Sequence, residues 1–172
     1  KYAHELSNQE IFNNHMINTI APSILAKEFL PKMYDRNAGH IVSLCSASSF
    51  VGVPKLSDYA ASKAAIYSLD ESLRLEIKKR EARIATTAIC PFYIHTGMFD
   101  GVKTRFPSLL PILKPQAVVD RMYLAICRRE RRLIMPWFVY STLIIKILPP
   151  RVFDSILGFF GVNSSMDDFR GR

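Results

Sequence analysis

Gly39-His40-Ile41-Val42-Ser43-Leu44-Cys45-Ser46 reads as a buried β-strand. It is a short apolar run entered through Asn37-Ala38-Gly39, and it leaves into the small residues Ala47-Ser48-Ser49. Ser46 therefore stands at the carboxyl end of a strand, where open α/β sheets bind their ligands. Downstream, Asp58-Tyr59-Ala60-Ala61-Ser62-Lys63 opens a helix whose apolar positions are Ala61, Ala65, Leu69, Leu73 and Ile77. Arg83 to Cys90 is β-branched and apolar and reads as a second strand, stopped by Pro91. Upstream, a long helix runs roughly from Gln9 to Tyr34.

Tyr59 and Lys63 lie one helical turn apart and share a face. A free tyrosine has a pKa near ~10 and is a poor base at neutral pH. A neighbouring cation favours the phenolate and brings proton transfer within reach. Ser46, preceding the tyrosine in a strand-end position, can hold and polarise a carbonyl or carbinol oxygen. These are the parts needed to move a proton while a hydride moves elsewhere. The pair alone is weak: composition predicts a Tyr-x-x-x-Lys match about 0.4 times by chance. For a lone pair, an amphipathic helix with an exposed lysine and a half-buried tyrosine is the better explanation. The order of strand, serine, helix and strand around it is the stronger signal.

With that order, the sequence resembles the short-chain dehydrogenase/reductase family. The matching residues are Ser46, Tyr59-Ala60-Ala61-Ser62-Lys63, Pro91 through Thr96, and Asn18 within Met16-Ile17-Asn18-Thr19-Ile20-Ala21. The match runs from about residue 8 to residue 100 and includes Phe29-Leu30-Pro31-Lys32-Met33 at the end of the first helix. The resemblance implies the C-terminal part of a Rossmann-like, doubly wound parallel α/β sheet. It implies Tyr59 as general acid/base and Lys63 as the residue that lowers its pKa and bonds the nicotinamide ribose. Ser46 would hold the substrate oxygen, and Asn18 would support a water linking Lys63 to solvent. Pro91, Thr96 and the loop between them would meet the nicotinamide carboxamide. The cofactor implied is NAD or NADP, with NAD favoured. The family usually has glycine after the proline, whereas this chain has Phe92, which cannot take positive φ angles cheaply.

A larger departure lies at the beginning. The dinucleotide fingerprint is a Gly-rich turn after the first strand. The seven glycines, Gly39, Gly52, Gly97, Gly101, Gly158, Gly161 and Gly171, do not form it. The chain also begins with Lys1. The expectation is a fragment lacking the cofactor-binding half of the domain, with one face of the sheet left open. Residues 1–172 then form one partial domain, with 101–172 as a substrate lid and membrane-interface tail.

Hydrophobic residues make up 49% and aromatics 11% of the chain, which excludes a disordered segment. Cys45, Cys90 and Cys127 are odd in number and widely spaced, which argues against disulfides and for a reducing or cytosol-facing location. His4, His15, His40 and His95 have no metal-ligand spacing. Residues 1–100 hold 11 basic and 10 acidic side chains, whereas residues 101–172 hold 12 and 5. The cluster Arg128-Arg129-Glu130-Arg131-Arg132 directly precedes the apolar run Leu133 to Ile145, which includes Trp137, Phe138 and Tyr140. That run has 13 residues, and a bilayer-spanning helix needs about 20. It suits a membrane interface, or simply the core and a hydrophobic lid. No nucleic-acid-binding motif accompanies the basic residues. Thr104 to Pro115 reads as a loop whose Phe106, Leu109, Leu110, Ile112 and Leu113 favour a greasy ligand.

The tail narrows the resemblance. Arg131-Arg132-Leu133-Ile134-Met135-Pro136, Pro149-Pro150-Arg151 and Gly161 to Asp167 look like the epidermal retinol dehydrogenase branch and its 17-beta-hydroxysteroid dehydrogenase neighbours. That implies oxidation of a lipophilic small-molecule substrate, all-trans-retinol before a steroid, at the cytosolic face of the endoplasmic reticulum or of lipid droplets. It also implies a homodimer through the two long helices. Two function classes follow: a membrane-associated oxidoreductase, and a catalytically inactive truncated remnant that only associates with membranes or related subunits.

Overall fold

The computed structural model describes residues 1–170. Helix α1 (Asn8–His15) is capped by Ser7 and Glu10 bonding reciprocally across its first turn. A π-helical turn (Met16–Ile20) links it without a break to α2 (Ala21–Asp35). Strand β1 (Gly39–Leu44) leads to α3 (Ser57–Lys79) and then β2 (Ile84–Pro91). Helix α4 (Pro115–Cys127), strand β3 (Arg132–Met135), and the short helices α5 (Ser141–Ile145) and α6 (Pro150–Phe159) complete the order. The strands form one parallel sheet in the order β1-β2-β3.

Strand periodicity sorts the side chains into two layers. Ala88 and Cys90 of β2 and Ile134 of β3 join Cys45, Phe50 and Ile66 on one face. Ile89 of β2, with Leu133 and Met135 of β3, packs against Val118 and Ala125 of α4 on the other. The result is a sheet with helices on both faces, the architecture that parallel strands require.

Three expectations are corrected. Strand β1 is not buried throughout: Val42 and Leu44 are 40% and 54% exposed, because they share the Ile89 face, which α4 covers over β2 and β3 but not over β1. The core stripe of α3 is Ile66, Asp70, Leu73 and Ile77, whereas Ala61 is exposed and Ala65 only half-buried. Residues at strict four-residue spacing rotate by about 40° per step, so Ala61 and Ile77 cannot lie on one face. In the loop before α4, Leu110 is buried and Phe106 packs against the rings of Phe159 and Phe160, but Leu109 and Ile112 are exposed.

Asp70 is an unexpected member of that stripe. It is 2% exposed and accepts from Ser43 Oγ at 2.9 Å and Thr86 Oγ1 at 3.3 Å. Burial raises its pKa, and the two hydroxyls only partly oppose this. A carboxyl raised in the folded state binds its proton more tightly there than in the unfolded chain. Its contribution is therefore fully present below the unfolded pKa and is lost as pH rises through the folded one. Asp70→Asn removes the charge and keeps an acceptor oxygen for one of the two hydroxyls, while its NH₂ can donate to the other, whose oxygen accepts. Urea unfolding across an acidic-to-neutral pH series should show the variant gaining stability relative to wild type as pH rises. A constant difference at every pH would refute this assignment.

Candidate active site

The carboxyl ends of the strands, the start of α3 and the π-helical turn converge on a cleft of about 430 Å³. The site residues expected from the sequence, Asn18, Ser46, Tyr59, Lys63, Pro91 and Thr96, all line it.

The capping geometry orients Ser46. Its Oγ accepts from Ser48 N at 3.1 Å and from Ser48 Oγ at 3.0 Å, leaving its own proton to donate. Tyr59 lies beside it, with its ring edge-on to Phe99 at a centroid distance of 6.2 Å. Burial pushes the Tyr59 phenol up, and the Ser46 hydroxyl partly offsets this.

Lys63 is buried and donates from Nζ to the Leu44 carbonyl at 2.9 Å, at the last residue of β1. Nζ also lies 5.7 Å from the centre of the Tyr59 ring. Burial lowers the pKa of the ammonium. Burial thus dominates at the phenol in this structure, and the lysine expected to lower its pKa donates to a backbone carbonyl.

Asn18 sits in the π-helical turn, a local form that recurs at functional sites. Pro22 has no N–H to offer the Asn18 carbonyl four residues before it. The spacing between Asn18 and Pro22 was thus a readable signal for a disturbed helix at this point. The Asn18 side chain bonds Asn14 and Ser62, and Thr19 Oγ1 donates to the Ser62 carbonyl at 3.1 Å, so the turn is held against α3.

Phe92 needs no glycine-like backbone, since it is absent from the positive-φ positions. Its N–H donates to Met135 O at 2.8 Å, and its ring meets Tyr93 at 4.6 Å. Tyr93 was missed by the sequence reading. It is buried, and its hydroxyl bonds Ser165 Oγ at 3.2 Å. Cys45 and Cys90 are free, buried neighbours at the strand ends, and their mutual hydrogen bond, with burial, drives the Cys90 thiol far up. They behave as packing residues rather than nucleophiles.

The rest of the cleft is largely apolar, lined by Leu110, Phe138, Val139, Leu157 and Phe160, with Ser141 and Thr142 among them. A parallel α/β sheet with a serine, a tyrosine and a lysine at its strand ends defines a Rossmann-type oxidoreductase framework.

The family model for short chain dehydrogenases matches residues 1–105. The chain belongs to the short-chain dehydrogenase family. It is 40% identical to epidermal retinol dehydrogenase 2 of Mus musculus over 158 residues, covering 91% of this chain and 51% of that protein. It is 34% identical to retinol dehydrogenase 10-B of Xenopus laevis over 169 residues, covering 96% and 50%. The chain thus spans about half the length of the curated relatives it matches. Among solved structures, a short chain dehydrogenase from Burkholderia cenocepacia in complex with NADP aligns with a TM-score of 0.73 at 19% identity, over 93% of this chain and 65% of that one. One from Sphingobium yanoikuyae in complex with NADPH aligns with a TM-score of 0.70 at 23% identity, over 99% and 61%. At these identities the structures establish the fold.

Proposed function

We propose that this chain carries the catalytic half of an NAD(P)-dependent oxidoreductase for a lipophilic alcohol, all-trans-retinol first and a hydroxysteroid second. The observation that carries the reading is the largely apolar cleft lined also by the neighbouring hydroxyls of Tyr59 and Ser46. The names of the retinol dehydrogenase relatives support the substrate class.

The polar residues fit the nicotinamide end of the cofactor. Lys63 and Thr96 line the same cleft as Tyr59, whereas the sequence has no Gly-rich phosphate turn. A bound nicotinamide supplies the hydride acceptor, and NAD is the favoured form. Ser46 donates to the alcohol oxygen, Tyr59 takes the hydroxyl proton, and Lys63 holds a positive charge beside them. Residues 101–170 act as the lid: Leu110, Phe138 and Leu157 come from this part of the chain. Incubating the protein with all-trans-retinol or a hydroxysteroid, and with NAD or NADP, tests the reading by detecting the carbonyl product. Failure of every combination would overturn it.

The reading places the protein on the cytosolic face of the endoplasmic reticulum or of a lipid droplet, as a homodimer through α2 and α3. Among the described residues no helix is long and apolar enough to cross a membrane. The surface contact instead falls on Trp137, Ile144 and Ile147, which are 76%, 70% and 82% exposed. Phe138, expected in the same patch, turns inward to line the cleft. Arg132 is tied to Tyr67 OH at 2.7 Å and lies over Tyr140, leaving Arg128, Arg129 and Arg131 as the exposed arginines of the cluster with no such tie among the described residues. Replacing Trp137, Ile144 and Ile147 by Ser should reduce co-sedimentation with anionic vesicles at high salt by about tenfold or more, through lost apolar burial. Replacing the three exposed arginines by Gln should matter only at low salt. A protein that stays in the supernatant at low salt would exclude the membrane contact.

A further inference from the structure

The Asn18 amide directs both of its protons toward neighbouring side chains. Nδ2 donates to Asn14 Oδ1 at 2.6 Å and to Ser62 Oγ at 3.2 Å. The two ends of an amide have the same shape, so hydrogen-bond partners decide which way it points. Ser62 Oγ gives its own proton to the Tyr59 carbonyl at 2.8 Å, so it offers Asn18 only an acceptor. Asn14 Nδ2 donates to Asp58 Oδ2 at 2.6 Å. A carboxylate only accepts. Asn14 must therefore turn its NH₂ to Asp58 and its carbonyl oxygen to Asn18.

We propose that Asp58 is a positioning residue that fixes, through Asn14, the direction of the Asn18 amide. The Asn18 carbonyl oxygen is thereby left as an acceptor toward the cleft that Asn14 and Asn18 share with Lys63. A reversed Asn18 would turn donors toward that cleft and its ammonium. The inference rests on the proposed catalytic reading, in which Asn18 is a member of the site. Asp58 also occupies the first turn of α3 and pairs with His15 Nε2 at 3.1 Å, so helix-start charge and that ion pair are the competing roles.

An exchange of the two side chains separates these roles. Asp58→Asn removes the acceptor-only group. Combining it with Asn14→Asp puts a carboxylate at position 14 that accepts from both sides and restores the direction of Asn18. Both variants lose the helix-start charge at position 58. The direct readout is hydrogen exchange of the Asn18 side-chain amide, followed by NMR in the full chain. Asp58→Asn should speed that exchange about tenfold, the bias set by one strong hydrogen bond. The double variant should return to within about twofold of wild type, since its two changes are coupled. His15→Gln, which removes only the His15 contact, should also stay within about twofold, because it leaves the Asn14–Asp58 hydrogen bond in place.

Turnover of the alcohol should follow the same order, falling in kcat with Asp58→Asn at unchanged KM and recovering in the double variant. Unchanged exchange in Asp58→Asn overturns the proposal. So does a double variant as impaired as the single one, or a His15→Gln variant that reproduces the loss. Amide exchange that follows the expected order without any alcohol turnover supports the positioning role and overturns the proposed function instead.

Discussion

Tyr59→Phe is expected to lower alcohol turnover by about 10²–10⁴-fold, the range of a lost general acid–base group. The fold should survive. Phenylalanine retains the ring that packs edge-on against Phe99 and lies near Lys63 Nζ. Only the hydroxyl beside Ser46 is lost. The pH profile adds a second expectation. Burial raises the Tyr59 pKa, so the phenol stays protonated through neutrality. Phenolate accumulates only on the alkaline side, and alcohol oxidation by the wild type should climb there, whereas the Phe variant should show no such limb. Steady-state rates across that range decide the matter. Activity retained within a few-fold would remove Tyr59 from the chemistry.

Gly101→Val is expected to detach the C-terminal segment from the site. Gly101 has φ +88°, and a Cβ there would collide with the Asp168 carbonyl oxygen. That close approach is one of several fastenings. Arg170 N donates to Asp100 O at 3.0 Å, Lys103 N donates to Ser165 O at 3.3 Å, and Lys103 Nζ pairs with Asp168 at 2.6 Å. Beneath them Met166 is buried with Tyr93 and Val102, and Phe169 leans on Phe99, the ring that meets Tyr59. Strained backbone and overpacking together should destabilise the segment by about 2–5 kcal/mol. Limited proteolysis should then cut near residues 165–170 while the sheet core remains intact, and substrate affinity should fall. A protease pattern like wild type would mean that the segment tolerates a side chain at position 101.

Much of the site was legible in linear form because its grammar is local. Tyr59 and Lys63 share a face by helical spacing, and Ser46 sits at a strand end because an apolar run stops there. The loop from Pro91 to Thr96 follows a strand for the same reason. Other parts carried no local mark. Asn14 meets Asp58 across 44 residues, and Tyr93 meets Ser165 across 72. The apolar run after Arg132 suited a membrane interface or the core and lid, and it divides into a strand, a 3₁₀ turn and a short helix, turning Phe138 inward and Trp137 outward.

The sequence by itself determined the helix, strand, helix and strand from Gln9 to Pro91, and the shared face of Tyr59 and Lys63. Those depend on residue periodicity and spacing, which the covalent chain specifies directly. The parallel Rossmann-like class, and Asn18 and Ser46 as companions of that pair, were implied by the family resemblance. Only the tertiary structure decided the environment of these residues. It made β1 an edge strand and rotated the core stripe of α3 onto Ile66 and Asp70. It anchored Lys63 on the Leu44 carbonyl rather than on the Tyr59 hydroxyl, and buried the phenol enough to raise its pKa. Desolvation and hydrogen-bond direction arise from groups far apart in the chain, so they exist only once the elements have packed.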